Sequence, residues 1–129
     1  MGWNRIANVT REAFRRLVAE ELDLLPDEFR QRMDNIVVLV EAEPPKHPRT
    51  PAPRSVRPHK LLLGLFVGTP RTQKSVFNLA AGPDRVILYQ NNIEAVCRTE
   101  AEVRREVRLT VIHEVGHFFG LDEDQLRHV

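Results

Sequence analysis

Two histidines four residues apart, with a glutamate directly after the first, constrain this 129-residue chain more than any other feature: His113-Glu114-Val115-Gly116-His117. On an α-helix, positions i and i+4 stack on one face about one turn apart, so both imidazoles reach toward one point. Glu114 is displaced by roughly 100° around the helix axis. It is poorly placed to be a third ligand beside them and well placed to lie next to a water held on an ion. Two neutral nitrogen donors and a carboxylate that takes a water's proton form the set that zinc-assisted hydrolysis needs. The plainer reading is an ordinary helix that happens to carry these residues. A short pattern recurs by chance, so the surrounding sequence has to decide.

That surrounding sequence predicts a helix. Thr99 followed three residues later by Glu102 is a capping box, which starts the helix near Glu100. Gly120 is placed to end it, because glycine enters the left-handed region at little cost. The span near residues 100–119 is about 20 residues, or roughly 30 Å at ~1.5 Å per residue. Val103, Val107, Val111 and Phe118 fall on one side, and Ile112 and Phe119 make the motif end apolar on another. A helix apolar nearly all round is expected to be buried. The histidines are then expected in a dry site, where an ion's charge is poorly screened.

A catalytic zinc usually has three protein ligands and keeps a position for water. The stretch from Gly120 to Val129 is short, so a ligand is expected from its acidic cluster and not from a later helix. The run from His113 to Glu123 resembles the metzincin pattern HExxHxxGxxH, with Glu123 where the third histidine stands. Glycine at 120 lets the chain reverse and return a side chain toward the ion, and carboxylate oxygen is an accepted zinc ligand. Glu123 is the first choice, then Asp124, then Asp122, with His128 fourth. The competing reading of the cluster is a solvated acidic face.

The run from Val103 to Leu126, centred on VRLTVIHEVGHFFGLDEDQL, resembles the minimal zincins, small bacterial metallopeptidase-like proteins with an HExxHxxGxxD motif or a close variant. Leu62-Leu63-Gly64-Leu65-Phe66 and Pro83-Asp84-Arg85-Val86-Ile87-Leu88-Tyr89 resemble the same family. The likeness covers the second half of the chain well and the first half only in length and layout. It implies one zinc ion held by His113, His117 and the carboxylate at position 123, with Glu114 as general base. It implies a zincin-like α/β fold, a small mixed sheet packed against helices, with no C-terminal subdomain. The chain departs from the family in having Glu123 in place of aspartate, one methylene longer. No methionine follows the motif, so the Met-turn of full metzincins is absent.

Length predicts a single domain over residues 1–129. Apolar residues at 42% and charged residues at 29% are an ordinary balance for a soluble chain. A net charge of +1 gives no general case for binding nucleic acid or a membrane. One cysteine, Cys97, excludes an internal disulfide and reads as a small buried apolar side chain. Residues Met1 to Thr10 lack the apolar run of a signal peptide, and no stretch approaches the ~20 apolar residues of a membrane span. The expected location is the cytoplasm.

Along the chain, Trp3 reads as a packing residue. Ala13, Phe14, Leu17, Val18 and Leu22 recur at helical spacing behind a Thr10 cap. Pro26 separates this helix from a short one over Asp27 to Met33. Arg15, Arg16, Arg30 and Arg32 read as solvated faces. Ile36 to Val40 is continuously apolar and reads as a central buried strand. Residues 44–58 hold six of the nine prolines, which rules out helix and sheet there and predicts a surface loop. It is a spacer, or a lid or partner-binding loop beside the cleft. His47 and His59 flank it without spaced partners and are not assigned as ligands. Leu61 to Val67, broken by Gly64, reads as a strand with a bulge. Arg71 to Leu79 is ambiguous. Arg85 to Tyr89 is another strand, and Asn91-Asn92 opens a short helical segment through Val96. The sequence of elements predicts an α/β chain of the α+β two-layer kind.

The function expected from these residues is hydrolysis of peptide bonds by a metal-activated water, with a peptide or protein as substrate. In zincins an extended peptide lies along an edge strand, for which either Leu61 to Val67 or Arg85 to Tyr89 is a candidate. Tyr89 is an oxyanion donor only if the fold brings it close; a packed strand tyrosine is the favoured reading. The rival function keeps the zinc without turnover and makes the chain a peptide- or protein-binding module.

Overall fold

The computed structural model describes residues 9–45, 61–68, 83–121 and 124–125. Trp3, His47, His59, the segment Arg71 to Leu79, Asp122, Glu123 and His128 lie outside them, and of the proline-rich segment only Pro44 and Pro45 lie inside. Helix α1 spans Arg11–Asp23 and α2 spans Asp27–Arg32. Strand β1 spans Ile36–Glu41, β2 Gly64–Val67 and β3 Asp84–Tyr89. Helix α3 spans Gln90–Ala95 and α4 Glu100–Phe118.

The helix ends follow from local chemistry. Thr10 Oγ1 accepts from the Ala13 N–H at 3.0 Å and starts α1. Thr99 Oγ1 accepts from the Glu102 N–H at 3.1 Å, and Glu102 Oε1 accepts from the Arg98 N–H at 2.7 Å. The reciprocal bond thus falls one residue upstream of the usual capping box. At the other end Gly120 has φ +79°, its N–H donates to the His117 carbonyl at 3.0 Å, and the Leu121 N–H donates to the Gly116 carbonyl at 2.9 Å. This pair of bonds is a Schellman motif, and it turns the chain back so that Leu121 packs on the core.

The sheet order is β1-β3-β2, with β1 parallel and β2 antiparallel to β3. Among the described residues β1 is therefore an edge strand and β3 the central one, which corrects the expectation for Ile36 to Val40. The continuous apolar run had suggested burial on both faces. In the structure Val40 is buried, while Val37 and Leu39 on the opposite face stay exposed. Helices α1 and α4 cover one face of the sheet. Val103, Val107, Val111 and Val115, all fully buried, form one i, i+4 ridge of α4. They meet Phe14, Leu17 and Val18 of α1 and Val86 and Leu88 of β3 in one core. Burial of a valine this complete stabilises by about 1.5–3 kcal/mol, so this ridge fixes how α4 is seated.

Ion pairs lock the rotation of α4 against α1. Glu21, almost wholly buried, accepts from Arg104 at 3.1 Å and Arg108 at 2.7 Å. Arg104 also meets Glu20 at 2.8 Å and Glu100 at 3.2 Å. The bond to Glu20, with those to Glu21 and Glu100, holds its guanidinium above the ordinary value. Among the described residues no helix is long and apolar enough to cross a membrane.

Candidate active site

Helix α4 presents two adjoining rows where the motif lies. The first carries His113 and His117, whose ring centroids stand 6.0 Å apart with the planes at 80°. His113 Nδ1 lies 2.9 Å from the Leu109 carbonyl one turn back. A carbonyl only accepts, so Nδ1 carries a hydrogen and Nε2 is the ring nitrogen turned away from the helix backbone. This is the bond that orients a ligating imidazole.

With metal–nitrogen distances of ~2.1 Å, each ring centre lies about 3 Å from a shared ion. The observed separation is at the upper end of that span, and two imidazoles one helical turn apart are a donor set whose chemistry suits zinc. Among the described residues no group of three histidine, cysteine or acidic side chains stands together. Asp124 is exposed. The other three candidates for the third ligand, Glu123 first among them, lie outside the described residues.

The second row, Thr110, Glu114 and Phe118, runs along β2. The Phe66 N–H donates to Glu114 Oε1 at 2.9 Å. The Phe66 and Phe118 rings stack with centroids 4.2 Å apart and planes at 24°. A Cβ built on Gly64 would stand 2.7 Å from Thr110 Cγ2. The apolar run Leu61 to Val67 thus contains no bulge at Gly64: the register to β3 is unbroken, and the glycine marks close approach of a helix.

Backbone direction adds a second point. The Tyr89 N–H donates to the Leu63 carbonyl at 2.9 Å. Bonded pairs alternate in an antiparallel ladder, so Leu65 and Val67 also turn their backbone groups to β3. Gly64 and Phe66 turn theirs to the outer edge. Glu114 therefore occupies the place that a carbonyl of a further strand would take. Upstream on this edge, Asn92 Nδ2 donates to the Leu62 carbonyl at 2.8 Å. Strand β3 is bonded on both sides, which removes Arg85 to Tyr89 as a docking edge and leaves β2.

The motif end of α4 is not buried all round. Val111, Ile112, Val115 and Gly116 are buried, His113 and Glu114 are half-buried, and His117 is exposed. Phe118 and Phe119 are 46% and 40% exposed, against the expectation of a fully enclosed helix. They lie in and just past the last turn of α4. Their rings meet edge to face at 5.2 Å, and the Arg32 guanidinium lies 5.7 Å from the Phe119 ring centre. Arg32 is thus more than a solvated charge.

Tyr89 is buried at the end of β3, and burial, with Glu41 nearby, raises its phenol. This is the packed strand tyrosine. Cys97 is a free thiol in the core cluster. Burial, then Glu106, Glu102 and Glu94, push it up to about 11, which suits neither a nucleophile nor a ligand. Sequence reasoning missed Leu109, Phe66 and Gly64. Only Gly64 left a trace, as a break in an apolar run.

A family model described as zincin-like metallopeptidase matches residues 33–129. Among solved structures, a conserved hypothetical protein from T. thermophilus is similar, with a TM-score of 0.55 and 21% identity over 86% of this chain and 94% of that one. At that identity the likeness speaks for the fold. No curated protein matches the chain.

Proposed function

The chain belongs to the zincin-like metallopeptidase family, and from that premise we propose that it is a zinc-dependent peptidase. His113, His117 and Glu123 would hold the ion, and Glu114 is the general base. The observation that supports this reading is the division of labour on α4: one row carries two imidazoles 6.0 Å apart, the first oriented by the Leu109 carbonyl, and the adjoining row presents a carboxylate.

Bound zinc supplies Lewis acidity and lowers the pKa of a water from ~15.7 toward ~7. The remaining work falls to the chain. The Leu109 carbonyl accepts from the Nδ1 side of His113 and so turns the ring, which leaves Nε2 as the nitrogen that would face the ion. Glu114 is held through Oε1, so Oε2 is the oxygen that accepts a water's proton and passes it to the leaving amine nitrogen. The Schellman turn at Gly120 reverses the chain after His117, which supports Glu123 as the third ligand. The outer edge of β2 would take an extended peptide at Gly64, since Glu114 already accepts from the Phe66 N–H.

The test is a fluorogenic peptide library incubated with the zinc-loaded chain. Cleavage is expected from the wild type, and Glu114→Gln should lower it by about 10²–10⁴-fold while leaving zinc content unchanged. No cleavage by either version, with peptide binding retained by both, would replace the peptidase by the zinc-dependent binding module.

A further inference from the structure

Strand β2 and the Glu114 row of α4 run in the same direction and in step. Gly64 faces Thr110, Phe66 faces Glu114 and Phe118, and Gly68 lies beside Phe118. Eight helical residues rise ~12 Å and four strand residues ~13 Å, so the register persists along the whole row. The two backbones come this close because position 64 has no side chain. A Cβ there would stand 2.7 Å from Thr110 Cγ2 and 3.0 Å from the Ile87 carbonyl oxygen.

The last torsion of a glutamate is broad and roughly two-fold, so an unsupported carboxylate plane is undetermined. A single N–H at 2.9 Å to Oε1 determines it here. We infer that Gly64 is a positioning residue for Glu114: its missing side chain lets β2 approach α4, the Phe66 N–H reaches Oε1, and Oε2 is thereby aimed. The role of the aimed oxygen rests on the reading of Glu114 as general base. The contact itself does not.

The contact can be read without turnover, by amide hydrogen exchange on the metal-free full chain. Among the described residues the Phe66 N–H faces the outer edge of the sheet and bonds Glu114, so its protection comes from that bond. Glu114→Ala should speed its exchange by about tenfold or more, and Glu114→Gln, which keeps an acceptor oxygen, should preserve protection within about threefold. Gly64→Ala should speed exchange at Phe66 as Glu114→Ala does. The Leu65 and Val67 amides, bonded to β3, should hold their protection throughout and report that each variant is folded. Equal exchange at Phe66 in wild type and Glu114→Ala, with Leu65 and Val67 protected in both, would overturn the inference.

On the zinc-loaded chain, Gly64→Ala should lower kcat by about tenfold with KM within about twofold and zinc content unchanged, and adding Thr110→Ser should restore much of it. Unchanged kcat in a folded, zinc-loaded Gly64→Ala chain would also overturn the inference. If the wild type cleaves nothing, the peptidase reading fails, while the exchange experiment still decides the contact.

Discussion

Replacing Gly64 by alanine puts a methyl group into a space that the structure measures. Ordinary van der Waals contact begins at 3.4 Å, so the new Cβ is about 0.7 Å too close to Thr110 Cγ2 and about 0.4 Å too close to the Ile87 carbonyl oxygen. The threonine methyl cannot swing away cheaply, because a β-branched side chain on a helix has few rotamers. The carbonyl belongs to the central strand. Relief must come from α4 and β2 separating, and overpacking of this kind costs about 1–3 kcal/mol. The lower entropy of alanine in the unfolded chain offsets about 0.5–1 kcal/mol. A net loss of about 1–2 kcal/mol is expected, read as a lower urea midpoint at constant m. Thr110→Ser removes the atom at 2.7 Å and leaves the carbonyl at 3.0 Å. In that background Gly64→Ala should cost less by about 0.5–1 kcal/mol. No coupling between the two positions, or a Gly64→Ala chain as stable as wild type, would refute the reasoning.

Gly120→Ala forces a β-carbon onto φ +79°. It should cost about 1–2 kcal/mol and lower Tm by roughly 3–4 °C per kcal/mol, seen by calorimetry; an unchanged Tm would count against the left-handed turn that closes α4. Cys97, pushed up to about 11 chiefly by burial, should react with a disulfide reagent at pH 8 about a hundredfold more slowly folded than in urea. Because its folded pKa lies above the unfolded value, the linked stability is complete below about pH 9 and is lost as pH rises toward 11. Rapid stoichiometric labelling at pH 8 would contradict this.

Much of α4 was legible in the sequence because its signals are local. Thr99, Glu102 and Gly120 act within one turn of themselves, and His113 and His117 meet through helical spacing alone. What escaped depends on how β2 lies against α4. Nothing in the sequence couples Phe66 to Glu114, 48 residues apart, or shows that a backbone N–H and not a side chain makes the contact. The strand Ile36 to Val40 misled because apolar content does not reveal whether a second face is covered; here Val37 and Leu39 stay in solvent. The aromatic pair Phe118 and Phe119 misled for a related reason. Helical periodicity assigns a face, but the last turn of a helix can outrun the layer that would bury it.

The central claim is that the two imidazoles of α4 share a metal ion. Zinc measured by plasma emission on purified, dialysed protein tests it most directly, with His113→Ala and His117→Ala as comparisons. About one zinc per wild-type chain and near none in either variant, both still folded, is the predicted result. Equal zinc in all three, or none in a wild type offered the metal in excess, would contradict it.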